Sequence, residues 1–299
     1  MDKELLCDAV MLSKADLLTD MVYEFTDLQG VMGYYYATKE GMDSKICTAL
    51  KEQYLPNGED SELPSTTFSC VVALSSKLDT LMGLFSVGMI PTGSRDPFAL
   101  RRAAQGIFKI CYEHKLHLDL NSIIDNSLQE YNNLNKEQLT EFLNERIYKL
   151  YSKVNPSIIK SVLSSTSRNN VLNICLKVEA LDDIVNSSDF KSISDTFKRV
   201  ANIVKDLNEV KDLTVNEELF EDENETILYN KFKGITNKSY TTFDEELEAL
   251  FSLKPELDNF FDNVFVNHED EKIKNNRKNL IGIVYKSFKT ISDIKEITI

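Results

Sequence analysis

Histidine, cysteine and acidic residues are the side chains in this sequence with the most obvious catalytic capacity. His114 and His117, in the run EHKLH, share a helix face and offer half of a metal site. Metal sites draw four ligands, usually from more than one segment, and no third ligand is in view, so no metal is assigned. His268 precedes Glu269 and Asp270 and reads as a surface residue in a charged turn. Asp16 and Asp20 lie four apart, and Asp79 stands alone in SSKLDTLMG. Paired carboxylates do acid–base work only where burial or a like charge splits their pKa values. Lys14 and Lys77 each stand two residues before one of these acids, so capping or ion pairing accounts for them. The five cysteines (7, 47, 70, 111 and 175) contain no C-x-x-C pair, which leaves no zinc knuckle or redox couple to read. Their odd number and core-like settings suit a reducing compartment. No G-x-S-x-G, Walker, G-x-G-x-x-G or H-E-x-x-H pattern occurs, and no catalytic residue is assigned.

Three basic groups stand out from an acidic background. Arg101-Arg102 lies near the start of a helix, and adjacent helical residues point about 100° apart, so at most one of the two faces inward. A salt link within the first part of the chain and a phosphate contact both remain open for this pair. Lys198, Arg199 and Asn202 form a second group, off the apolar stripe of their helix, with Asp195 four residues before Arg199. The third holds Lys272, Lys274, Asn275, Asn276, Arg277 and Lys278. None of these groups alone establishes nucleic-acid binding.

The elements that must carry these residues are helical. The 299 residues include only 10 Gly and 6 Pro, and eight of the Gly and four of the Pro precede residue 107. Few turn-formers over a long chain argue against a many-turned sandwich or barrel. The chain therefore divides near 115–120 into a loop-punctuated part and a nearly uninterrupted helical part. In the first part, Ala15–Phe25 carries Leu17, Leu18, Met21, Val22 and Phe25 at helical spacing. Asp43 caps a helix that Pro56 ends, and Asp96-Pro97 reads as N-cap and first helical residue of another. In the second part, apolar stripes run through Leu139–Val154, through Ile193, Phe197, Val200, Val204 and Leu207, and through Phe243–Phe251. Further stripes follow at Leu257–Phe265 and Leu280–Phe288, an antiparallel-bundle pattern. Residues 217–225 (EELFEDENE) hold six acids and no base, and read as a solvated loop or helix start.

Charge narrows the partners. With 34 basic and 48 acidic residues the net charge is −14, which disfavours indiscriminate binding to nucleic acid or to anionic membranes. A local basic site is still compatible with it. The longest charge-free stretch, Thr80–Ser94, is too short for a membrane span, and MDKELLCDAV has no signal-peptide layout.

The segments KADLLTDMVYEFTDLQGVMGYYYA (14–37), LPSTTFSCVVALSSKLDTLMGLFSVGMIPTGSRDPFALRRAAQGIFKI (63–110) and DNFFDNVFVNHEDEKIKNNRKNL (258–280) resemble the β subunit of bacterial heterotetrameric glycyl-tRNA synthetase. DPFALRRAA is the most specific of these runs. KRVANIV (198–204) with FFDNVFV and KIKNNR resembles a DALR-type anticodon-binding domain. The resemblance is strong over about 12–115, weak over 116–190 and moderate over 190–299, and the chain looks like a C-terminal portion of a longer subunit.

The resemblance implies an all-α fold: the end of an HD-like helical domain (1–118), a helical connection (119–189) and a DALR-type bundle (190–299). It implies a tRNA-binding, anticodon-recognising role that supports ATP-dependent attachment of glycine by a separate α subunit in an α2β2 assembly. ATP and Mg belong to that α subunit; no cofactor is expected on this chain, no DNA or membrane partner, and a cytoplasmic location. Unpaired anticodon bases are read by polar side chains and stacking, and phosphate contacts fix the register. The implied contacts are Asn202, Asn275 and Asn276 toward base edges, and Lys198, Arg199, Lys274, Arg277 and Lys278 toward phosphates, with Arg101 and Arg102 as further candidates. Arg277 has an alternative, a structural tie to Asp258 or Asp262, and Phe260, Phe261 and Phe265 are expected to pack the bundle. Asp79 falls where an HD-type phosphohydrolase keeps its last metal ligand, but no His precedes residue 114. A metal-dependent phosphohydrolase and a purely structural docking module are the competing readings.

Overall fold

The computed structural model describes residues 2–58, 60–93, 95–167, 169–186, 190–205 and 213–298. Among them there is no β-strand; one isolated bridge pairs Asp119 with Asn170. The all-α expectation therefore holds. The chain divides into two compact units, residues 1–150 with 169–172, and residues 151–168 with 173–299.

The first unit holds α1 (Lys3–Met11), α2 (Asp20–Glu24), α3 (Val31–Lys39), α4 (Ser44–Glu52), α5 (Thr67–Ser86), α6 (Leu100–Glu113), α7 (Leu120–Ser127) and α8 (Lys136–Leu150). The apolar α5 lies against α1, α4 and α6, and buries Phe68, Val72, Leu78, Leu81, Met82 and Phe85. By length and composition α5 could cross a membrane, but two-thirds of its apolar window is buried in this unit. Thr66 caps it by accepting from Ser69 N–H (3.1 Å), as its position before an apolar run predicts. α6 packs on α5 and α8, and the rings of Phe85 and Phe142 meet edge to face at 5.1 Å.

Three local readings change. Ala15–Phe25 is not one helix: a 3-10 turn (Ala15–Leu18) and the short α2 are separated by extended Thr19. Thr19 donates its hydroxyl to Asp16 O (2.7 Å) and accepts from Val22 N–H, so it ends one turn and caps the next. Leu17, Leu18, Met21 and Phe25 are consequently exposed. Asp96 does not begin α6 directly. Residues 96–99 form a turn, and the Asp96 carboxylate reaches forward to accept from Leu100 and Arg101 N–H at 2.8 and 3.0 Å. Finally, α6 ends at Glu113, so His114 and His117 lie past its last turn rather than on one helical face. Among the described residues no group of three or more His, Cys, Asp or Glu is placed to hold a metal ion.

The second unit holds α9 (Pro156–Leu163), α10 (Val171–Val185, its first two residues in the first unit), α11 (Phe190–Ile203), α12 (Glu223–Thr236), α13 (Phe243–Phe251), α14 (Lys254–Asn263) and α15 (Glu271–Ile291). Its centre is aromatic. Phe197 of α11, Phe251 of α13 and Phe288 of α15 meet with ring centroids 4.4–5.4 Å apart, and Phe190 adds an edge contact to Phe251. These rings come from three of the stripes read from the sequence; the Leu139–Val154 stripe instead lies mostly in α8 of the first unit, and Leu207 lies outside the described residues. Lys177, 1% exposed, donates to Ser167 O (2.7 Å) and Thr290 O (2.6 Å), tying the last turn of α15 to the segment before α10.

Candidate functional site

The third basic group sits on the first two turns of α15, and its neighbours divide by direction. Asp270 caps the helix by accepting from Lys272 N–H (2.7 Å). Asn275 is exposed and Lys274 and Lys278 are half-buried, Lys274 pairing with Glu271 one turn back (2.9 Å). Asn276 and Arg277 face inward. Asn276 makes a two-way amide pair with the Asn216 backbone, accepting from its N–H (2.8 Å) and donating to its carbonyl (2.9 Å). The polar groups of these two residues, expected to reach a base edge and a phosphate, are engaged by protein groups in this structure.

Arg277 is the hub of this arrangement. It is 4% exposed, and its guanidinium reaches Glu225, which is 0% exposed, through Nε to Oε1 (3.0 Å) and Nη2 to Oε2 (3.3 Å). Nη2 also donates to Glu221 (3.1 Å), and Nη1 to the carbonyl of Phe265 (3.1 Å). The tie runs to Glu221 and Glu225, not to Asp258 or Asp262. Glu225 in turn accepts the N–H groups of Glu221 and Asp222 (2.9 and 3.0 Å), completing a capping box with Asp222 at the start of α12. Hydrogen bonds from the Asn224 backbone and side chain hold the Asp222 carboxyl below its ordinary range. His268 Nε2 lies 3.4 Å from Glu221. One buried cation thus fixes the start of α12, the loop after α14 and the start of α15. The acidic run 217–225 is partly solvated and does start a helix, but it supplies this buried acid as well.

The consequence at the surface is Phe265. Its ring is 71% exposed, while its carbonyl is held by Arg277. Phe260 and Phe261 are buried as expected; Phe265 is not, because α14 ends at Asn263 and the stripe stops with it. Periodicity hid this residue. The signal that could have found it is its place beyond the helix, just before the charged turn at His268.

In α11, Lys198 is half-buried, and Arg199 and Asn202 are exposed. Arg199 stacks over Phe261 at 4.3 Å and reaches that residue's carbonyl at 3.5 Å. Below it, Asp258 joins Lys254 and accepts from the Thr196 hydroxyl (2.7 Å). Burial works against ionising Asp258, yet these two hydrogen bonds and the charges of Lys254 and Arg199 hold its pKa below the usual range. α11 packs on α15 through Phe197 and Phe288, ten or more residues from Lys274–Lys278, roughly 15 Å along the helix. Among the described residues no hydrogen bond or ion pair joins the two basic groups.

In the first unit, Arg101 donates to Gly93 O (2.7 Å) and Arg95 O (3.0 Å), closing the turn before α6. Arg102 is exposed and donates to Asn57 O (3.3 Å). Asp79 accepts from Lys14 (2.7 Å) and from the Tyr131 hydroxyl (2.6 Å). A lysine ammonium and a phenol already serve this carboxylate, and among the described residues no three His, Cys, Asp or Glu side chains gather to hold a metal, so these residues do not fit an HD-type metal site.

Comparison with known proteins then decides the family. A family model described as "Glycyl-tRNA synthetase beta subunit" matches residues 2–164. This chain belongs to the glycyl-tRNA synthetase β-subunit family. A glycine–tRNA ligase β subunit from Helicobacter pylori (strain G27) is 44% identical over 99% of the chain and 43% of its own length. Those of Aquifex aeolicus (strain VF5) and Sulfurihydrogenibium sp. (strain YO3AOP1) are 39% and 37% identical over 98% and 99% of the chain, again covering 43% of each relative. The chain spans less than half the length of these relatives.

Proposed function

We propose that this chain is the anticodon-recognising, tRNA-binding portion of the β subunit of a glycine–tRNA ligase. In that reading it works in the cytoplasm within an α2β2 enzyme, and ATP-dependent attachment of glycine, with Mg, takes place on the α subunit. On its own this chain is expected to bind glycine tRNA and not to charge it. Residues 1–118 serve as the end of an HD-like domain, 119–189 as a connection and 190–299 as a DALR-type anticodon-binding bundle.

The observation that supports it best is the exposed Phe265, held by its carbonyl to Arg277 of α15, the helix that also carries exposed Asn275 and half-buried Lys274 and Lys278. An anticodon loop offers splayed bases and closely spaced phosphates. An aromatic platform stacks a base, contributing about 1–3 kcal/mol, while lysines take phosphates and an asparagine amide reads an edge. Arg277 and Asn276 are positioning residues for this surface, and Lys198, Arg199 and Asn202 extend the contact from α11.

The test is glycine tRNA binding by fluorescence anisotropy. The expected result is at least tenfold weaker binding by Lys274→Glu/Lys278→Glu and several-fold weaker binding by Phe265→Ala, with helix content by circular dichroism unchanged. Unchanged affinity in both variants overturns the assignment of this surface.

A further inference from the structure

The first unit contains a cleft of about 460 Å³ between the 14–17 segment, the Gln53–Asn57 segment, α5 and the start of α6. Its wall carries Lys14, Lys77 and Arg102, and among the described residues no Asp or Glu lines it. In a chain of net charge −14 that is a marked local excess of positive charge.

The three cations differ in how they are satisfied. Lys14 is neutralised by Asp79 at 2.7 Å. Lys77 is not: it is 7% exposed, and its ammonium donates to the carbonyls of Tyr54 (3.0 Å) and Pro56 (3.2 Å) with no carboxylate partner among the described residues. Its stem is held tightly, because a Cβ on Gly106 would meet Lys77 Cε at 2.9 Å. Burial lowers its pKa to about 8, as expected for an ammonium with no counter-ion. Arg102 uses one N–H on Asn57 O, and its remaining four donors have no partner among the described residues. The nearby acids are turned to other groups. Asp16 accepts from Gly30 N–H (2.6 Å) and the Tyr54 hydroxyl (2.8 Å), and Asp79 from Lys14 and Tyr131. A buried cation without an anion is costly, and an anionic ligand offsets that cost.

The rest of the lining suits an organic phosphate better than a bare ion. Phe98, 48% exposed, stands at the rim with Leu17 and Ala99, while Gln29, Gln53 and Thr80 supply polar contacts. The volume falls within the range of small-molecule sites. From the two uncompensated cations, the acid-free wall and the aromatic rim we propose that this cleft binds the phosphate of a nucleotide, with the base against Phe98 and the phosphate between Lys77 and Arg102. The phosphate can belong to a free mononucleotide or to the end of an RNA strand. This site is separate from the α15 surface and does not rest on the anticodon reading.

The experiment is isothermal titration of the 299-residue chain with inorganic phosphate, AMP and a 5′-phosphorylated RNA tetranucleotide, at pH 7 and low salt. We expect AMP to bind more tightly than inorganic phosphate, and at least a tenfold loss with Arg102→Glu, a surface change that spares the core. Phe98→Ala should weaken AMP and leave inorganic phosphate unchanged. Lys77→Met tests the buried charge; should it unfold, Arg102→Glu and Phe98→Ala carry the result. Tetranucleotide binding without AMP binding, lost in Arg102→Glu, supports the site and assigns the phosphate to an RNA end. Absence of binding by all three probes, or binding unaffected by both Arg102→Glu and Phe98→Ala, overturns the proposal.

Discussion

Arg277 shows how much one side chain can carry in a helical bundle. Four of its hydrogen bonds reach two carboxylates and one carbonyl, and Glu225 beneath it is fully buried. Removing one partner of a buried pair leaves an uncompensated charge and typically costs about 3–5 kcal/mol. We therefore expect Arg277→Ala to destabilise the second unit by about that much in urea unfolding. Glu225→Gln should cost less, because its amide oxygen can still accept the N–H groups of Glu221 and Asp222. Lys77 gives a pH signature. Its folded pKa of about 8 lies below its ordinary value of 10.5, so the unfolded chain holds more protons between those values. Wild type should gain stability relative to Lys77→Met as pH rises from 8 to 10, by on the order of 2 kcal/mol, with the cost fully present below pH 8. A flat difference across that range would contradict the burial of a charged Lys77.

At the level of elements, the sequence was most legible where apolar residues recur over three or more turns. Phe197 and Val200 named the inner face of α11, with Val204 just past its end, and Leu280, Ile281, Val284 and Phe288 that of α15. All point into the core. Capping was legible too: Asp43 accepts from Lys45 N–H as its position predicts. Legibility failed where a short polar side chain offers the backbone a competing partner, as Thr19 does in breaking 15–25. It failed again where charge is buried, since nothing in EELFEDENE distinguishes Glu225 from its solvated neighbours. The partner that does, Arg277, lies 52 residues away. Phe265 was misread because a stripe gives no notice of where its helix ends. Two phenylalanines make the distinction measurable. Phe197→Ala, in the ring cluster of α11, α13 and α15, should cost about 3–5 kcal/mol. Phe265→Ala, with its ring in solvent, should change stability by less than about 0.5 kcal/mol.

For the molecule as a whole, the acidic balance sets the terms of any RNA contact. With 48 acids against 34 bases, most of the surface repels a phosphate backbone, and binding is confined to small basic areas. Glycine tRNA affinity should then fall with salt at a slope set by a few phosphates, with a log–log slope of roughly −2 to −4 for three to four contacts. Titrations from 50 to 300 mM salt read that slope directly. A value near zero would exclude lysine–phosphate contacts, whereas a value near −10 would require a far larger basic footprint than α11 and α15 present.

Arg277 holds residue 265 by its carbonyl oxygen and leaves the ring untouched. Every amino acid has that oxygen, so the anchoring is indifferent to the side chain displayed. The position can therefore be exchanged without disturbing the scaffold, and under the proposed function a change in the base met there would need one codon rather than a rebuilt domain.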